Sequence, residues 1–211
     1  LSCFIRQDAL PNPPCPDCDP QGPPQKSGNP VTLGLGMELP SVVDLQIDGV
    51  MPITIGRVYN PWNHFIRNQQ LRPSFGHGWY FSYDVAIYGV GSVLRVVMPG
   101  NARIDFQPDG SGDYVAPNDL RFGSARLTSR SGSLEMVFKD GRTWRFTNFG
   151  LSGYTGGVYF LTEQLDGKGN SLRIARNGSG RPTGITAPGR SVSIGIGDNG
   201  YIEEIRDELG R

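Results

Sequence analysis

From Val31 onward, apolar and polar residues alternate with period two, in short runs that end on turn-forming residues. Val43, Leu45 and Ile47 alternate with Asp44 and Gln46 before Asp48-Gly49, and Ile53 and Ile55 alternate with Thr54 and Gly56. Leu134, Met136 and Phe138 lead into Asp140-Gly141, and Leu172 and Ile174 lead into Asn177-Gly178. Val192, Ile194 and Ile196 lead into Asp198-Asn199-Gly200. Such alternation puts one face of each strand into a core. Asp-Gly and Asn-Gly supply the positive φ that tight hairpins need. No stretch combines helical periodicity with helix caps. The pattern predicts an all-β fold, an antiparallel meander of short strands and hairpins.

Three segments differ in texture. Residues 1–30 carry "PNPPCPDCDPQGPPQKSGNP". Proline lacks the donor that a strand needs, so this segment reads as an extended arm. Residues 31–160 read as a β-domain. From Leu161 the chain repeats: "LTEQLDGKGN", "PTGITAPGR" and "IEEIRDELGR" end on Asn170, Arg190 and Arg211, 20 and 21 residues apart. Each unit is a strand, a glycine turn, a strand and a second glycine turn. The turn glycines expected to shape the hairpins are Gly141, Gly169, Gly189 and Gly210. One hairpin cannot bury its apolar face alone, so repeats of this kind stack on their neighbours. "IRDELGR" reads as the turn into a further unit, in an array that is cut or continues beyond it.

Composition narrows the function classes. Lys plus Arg is 20 and Asp plus Glu is 20, so the net charge is zero and nothing global calls for nucleic acid. No apolar run has the length of a membrane-spanning helix. The chain opens on Leu1 rather than Met, which reads as a processed or excised piece. Cys3, Cys15 and Cys18 cluster in the arm. A disulfide among them, uncommitted thiols and a metal half-site at Cys15-Pro-Asp-Cys18 all remain open, and a disulfide would need an oxidising compartment.

Several of these stretches together resemble the Rhs and YD-repeat family of exported bacterial proteins. The motifs are Gly28-Asn29-Pro30-Val31, Arg57-Val58-Tyr59-Asn60, Gly76-His77-Gly78-Trp79-Tyr80-Phe81-Ser82-Tyr83-Asp84, Asp140-Gly141 with Trp144 and Phe146, and Asp166 to Asn170 with Leu172. The resemblance implies a β-sheet that coils into a hollow shell, begun or capped by an N-terminal domain like this one. In the family such a shell can enclose a C-terminal toxin, and other members are adhesive or carbohydrate-contacting surface proteins. Where the family carries Tyr-Asp before the repeat turn, this chain has Arg176-Asn177 and Gly197-Asp198.

Candidate chemistry is sparse. His64 and His77 are the two histidines. Alternation groups Trp79, Phe81 and Tyr83 on a core face and Tyr80, Ser82 and Asp84 opposite, which makes His77 a turn residue; Trp144 also belongs to the expected core. No Ser-His-Asp order, metal cluster, paired carboxylates or phosphate loop stands out. The expectation is a structural module with no catalytic, cofactor or metal residues, extracellular or on the cell surface. Its partners would be downstream repeats of its own polypeptide or further copies of itself. A self-assembling fibre subunit and a carbohydrate-binding module are the alternatives.

Overall fold

A computed structural model of the chain describes residues 31–32, 37–38, 40–60, 71–151, 153–154 and 156–211. The expectations on Cys3, Cys15, Cys18, the Pro-rich arm and His64 fall outside these residues. Among the described residues there is no α-helix, and the chain is antiparallel β, as its alternation predicts. β1 (Val31–Thr32) and β2 (Met37–Glu38) pair with each other. β3 (Ser41–Ile47), β4 (Ile53–Tyr59) and β5 (Trp79–Phe81) form a three-stranded sheet.

The remaining twelve strands form one sheet. It runs in chain order through β6 (Ala86–Val90), β7 (Val93–Val97), β8 (Arg103–Pro108), β9 (Asp113–Val115), β10 (Arg126–Arg130), β11 (Ser133–Val137), β12 (Thr143–Asn148) and β13 (Val158–Leu165). It then closes, because Val158 to Phe160 of β13 pair with Tyr88 to Ala86 of β6. Eight strands therefore make a barrel. The second half of β13 leaves the ring on the same edge: Glu163 to Leu165 pair with β14 (Ser171–Arg176) while β12 keeps the other edge. β15 (Pro182–Ala187), β16 (Arg190–Ile196) and β17 (Ile202–Asp207) extend from there. β13 is thus a fork between barrel and repeats, and it spans the expected boundary at residues 160 and 161.

One buried apolar cluster joins all three parts. Ile53, Ile55 and Phe81 of the small sheet share it with Phe106, Leu127, Met136 and Phe146 of the barrel and with Leu172, Ile174, Ile185, Val192, Ile194 and Ile202 of the repeats. Phe122, on the β9–β10 loop, packs among Phe106, Phe138 and Trp144. Side chains therefore fill the barrel.

The alternation fails in β3. A bulge between Val43 and Leu45 breaks the register, leaving Val43 60 % exposed while Leu45 and Ile47 pack on the core. The extra residue shifts the face presented to either side. Asp44, at the bulge, binds Arg57 through two bonds of 2.7 Å.

One turn recurs along the chain. In five-residue stretches beginning at Met98, Asp109, Phe138, Asp166, Asn177, Gly197 and Asp207, the first N–H donates to the fifth carbonyl at 2.8–3.0 Å. The fourth residue has positive φ in each: Asn101 once, glycine in the other six. This is a three-residue hairpin loop with a left-handed fourth position, which glycine enters without strain. Gly141, Gly169 and Gly210 occupy that position, and Gly189 has φ 70° in the shorter β15–β16 turn.

Carboxylates and amides lock these turns. Asp166 Oδ1 accepts the N–H groups of Lys168 and Asn170, and Asn177 and Asp207 repeat the arrangement. Asp109 is held down to about 2 by the Ser111 hydroxyl and N–H, with Arg126 adding to the effect. Asp140, Asp166 and Asp207 are lowered too, chiefly by bonds from Arg142, Asn170 and Arg211. A carboxyl whose folded pKa is depressed contributes stability above its unfolded pKa, near 4, and loses it as pH falls through the folded value. The melting temperature should therefore fall between about pH 4 and pH 2. Asn177 already serves this role without titrating. Replacing all four aspartates by Asn should flatten the acid limb of a thermal-melt series. An acid limb as steep as that of the parent would show that these turns do not set it.

Candidate functional site

A dense polar construction lies where the segment 71–84 meets the start of the repeats. On β14, alternation puts Leu172, Ile174 and Arg176 on one face, so a guanidinium ends an apolar row. A bulge between Ala175 and Arg176 adjusts its aim. Arg176 donates from Nε to the Leu161 carbonyl (2.8 Å), from Nη1 to Gly180 (2.8 Å) and from Nη2 to Tyr83 (2.6 Å). It thereby ties the fork strand, the β14–β15 turn and the loop after β5 to one point. Its guanidinium also stands 5.2 Å from the Phe160 ring centroid.

Asp84 is the counterpart. Its carboxylate accepts the N–H groups of Ser74 (2.9 Å) and Phe81 (2.8 Å) and the Ser74 hydroxyl. Burial pushes Asp84 up, against those three bonds and the field of Arg176. Arg181, 8 % exposed, donates to the Arg72 carbonyl at 2.8 Å. Arg72 donates to the Asn199 carbonyl and lies 4.7 Å from the Tyr201 ring centroid, and the Ser74 carbonyl accepts the N–H of Ile202 at 2.7 Å. Segment 71–84 is thus stitched to the β14–β15 turn, the β16–β17 turn and the first residue of β17.

Gly180 closes the joint. It has φ 76°, and a Cβ there would land in the Phe160 ring. Leu71, Ala86, Phe160 and the charged groups surround a small cavity.

The expected structural residues are distributed as follows. Phe81 is fully buried and Tyr83 is buried, with its hydroxyl accepting the Thr54 N–H at 3.3 Å. β5 ends at Phe81, and the Asp84 N–H then bonds back to the Phe81 carbonyl, so two-face alternation stops there. Tyr80, expected opposite the core, is 2 % exposed. Trp79 is half-buried, with Tyr59 at 4.9 Å and Arg57 at 5.2 Å from its ring. Trp144 is half-buried and packs on the core beside Phe138, at 5.2 Å. His77 is exposed, 6.0 Å from the Tyr201 ring. Phe81→Ala should therefore cost about 3–5 kcal/mol and Trp79→Ala clearly less. Denaturant unfolding of both variants checks the order, and a larger loss at Trp79 would reverse the burial ranking.

Sequence reasoning missed Asp84, Arg176 and Arg181. The available signal was the position of Arg176 on the Leu172–Ile174 face, at the step where the Tyr-Asp pattern is replaced. Among the described residues no group of three or more His, Cys, Asp or Glu is arranged to hold a metal, and no helix is long and apolar enough to cross a membrane.

A search of curated proteins finds no match to the chain. The family model described as "Domain of unknown function (DUF6531)" matches residues 28–106, a stretch that includes β1 to Phe106 of β8 and the Asp84 side of the joint, whereas Arg176 and Arg181 lie beyond it.

Proposed function

We propose that this chain is a non-enzymatic structural module of an exported, Rhs/YD-repeat-like bacterial protein, and that it founds the repeat sheet. The observation that carries this reading is the single core shared by the small sheet, the barrel and β14–β17, with the Asp84–Arg176 joint fastening the segment matched by the family model to the repeats. A repeat hairpin needs a neighbour to cover its apolar face. Here the first hairpins find one in the module itself. In this reading the module caps the first end of a shell, outside the cell or on its surface, and its partners are the repeats of its own polypeptide.

The test is to delete residues 31–106 from the natural polypeptide and image the product by electron microscopy. The expected result is loss of the ordered sheet. An intact sheet without the module would defeat the reading. A screen with glycosidase, esterase, peptidase and nuclease substrates should give no turnover, and turnover abolished by His77→Ala would make the module an enzyme.

A fibre subunit is the second reading. β3 and β17 are outer strands, each paired on one side among the described residues, and open edges invite pairing between copies. Light scattering separates the two: a monodisperse monomer excludes the fibre, and concentration-dependent growth supports it.

A further inference from the structure

The chain contains two Asn-Gly pairs, Asn177-Gly178 and Asn199-Gly200, and both lie in the recurring hairpin turn, two steps apart in its register. Asn before Gly is open to attack by the following backbone nitrogen, because Gly has no Cβ in the way. The turn decides whether that nitrogen is free. Asn177 opens its turn, so Gly178 is the second residue, and the Gly178 N–H donates to no group among the described residues. Both residues are exposed, and a Cβ at Gly178 would meet nothing within 4 Å. Asn177 Oδ1 accepts the N–H groups of Ser179 and Arg181 at 3.0 Å each, so the oxygen that gathers charge during attack is already held by two donors. Asn177 Nδ2, the leaving group, has no partner among the described residues. Asn199 is third in its turn, and Gly200 fills the left-handed fourth position. There the Gly200 N–H donates to the Gly197 carbonyl at 2.8 Å, and Asn199 Nδ2 donates to Glu203 at 3.1 Å. Nucleophile and leaving group are both occupied.

We propose that Asn177 is a site of spontaneous deamidation, that Asn199 is spared, and that the change loosens the joint as the protein ages. The Gly178 nitrogen, its proton taken by hydroxide, attacks Cγ of Asn177. The new N–Cγ bond closes a five-membered succinimide, the Cγ–Nδ2 bond breaks and ammonia leaves. Water then opens the ring at either carbonyl, giving aspartate or isoaspartate. Aspartate suits the turn, since Asp166 and Asp207 cap the same position. Isoaspartate routes the main chain through Cβ and Cγ. The loop gains a methylene, and the 177 carbonyl that accepts the Gly180 N–H at 2.8 Å becomes a free carboxylate. The lengthened loop includes Gly180, whose carbonyl Arg176 holds, and leads into Arg181, which holds the Arg72 carbonyl. The inference goes beyond the founding role of the module and stands without it.

The test holds the whole folded chain in mildly alkaline buffer, alongside the same chain in denaturant, and follows both asparagines by peptide mass spectrometry. Folding should slow Asn199 roughly tenfold or more relative to Asn177, because two bonds must open before Asn199 reacts. Isoaspartate should accumulate at position 177. The fraction that carries it should melt roughly 4–8 °C below fresh protein, through the loss of turn bonds. Gly178→Ala has open space for its Cβ, so this variant should fold, react more slowly at Asn177 and keep its melting temperature on ageing. Equal slowing at the two sites, or an Asn177 that stays intact while the denatured chain reacts, would overturn the proposal. So would a product without isoaspartate, a rate unchanged in G178A, or an isoaspartate fraction that melts with fresh protein.

Discussion

Residues 158–211 expressed alone should be unfolded. In the whole chain Leu172, Ile174, Ile185, Val192, Ile194 and Ile202 are each no more than 8 % exposed, in one cluster with Ile53, Ile55 and Phe81. Cut free, the same strands would form a single sheet with a bare apolar face, and a sheet needs a second layer to bury it. They would also lose the carbonyl of Ser74, which caps Ile202, and that of Tyr83, which receives Arg176. Circular dichroism should show a coil, with amide proton shifts collapsed into a narrow band. A cooperative melt of the isolated fragment would show that the repeats carry their own stability, and the founding role of the module would fall with it.

Arg176→Met should be among the most damaging changes of a charged residue, costing about 3–5 kcal/mol, or roughly 6–20 °C in melting temperature. The substitution removes the donors to the Leu161, Gly180 and Tyr83 carbonyls and takes from Asp84 the opposing field of Arg176. Arg173, three positions earlier on the same strand, provides the control. It points outward and binds Glu163 at 2.9 Å with 73 % of its side chain exposed. Arg173→Met should cost about 0–1 kcal/mol, because an exposed pair is screened and only partly ordered. Equal losses at the two positions would mean that the joint contributes nothing beyond an ordinary surface pair.

What could be read from the chain was its local part. The runs ending at Phe138, Ile174 and Ile194 declare both their faces and their turns, because strand alternation and the left-handed turn position depend on neighbours a few residues apart. Closure of the barrel does not. Val158 to Phe160 meet Ala86 to Tyr88 some seventy residues back, and no local pattern encodes that partner. Val43 departs from the alternation for a related reason: the extra residue at Asp44 breaks the register, and Val42 and Val43 both come out exposed. Tyr80 does lie opposite Phe81 in β5, but the face it shares is covered as well, by the groups around the small cavity at the joint. The joint was hidden by chemistry: Asp84 and Arg176 look like ordinary surface polar residues until the segments that they bond are brought together.

The fork at β13 has a mechanical consequence. In a meander every neighbour is also next in sequence, so tension applied at the C-terminal end opens hydrogen bonds one strand at a time. β17 would peel from β16, then β16 from β15 and β15 from β14, in small force steps. The peeling front then meets Arg176 and, behind it, a strand gripped by β12 on one edge and by β6 and β14 on the other. Extension past that point requires the ring itself to open, with Phe146 and Leu161 drawn out of the core together. A pulling trace should therefore show a soft sawtooth that ends in one tall event. The molecule would behave as a ratchet stop, giving way readily as far as the fork and resisting beyond it.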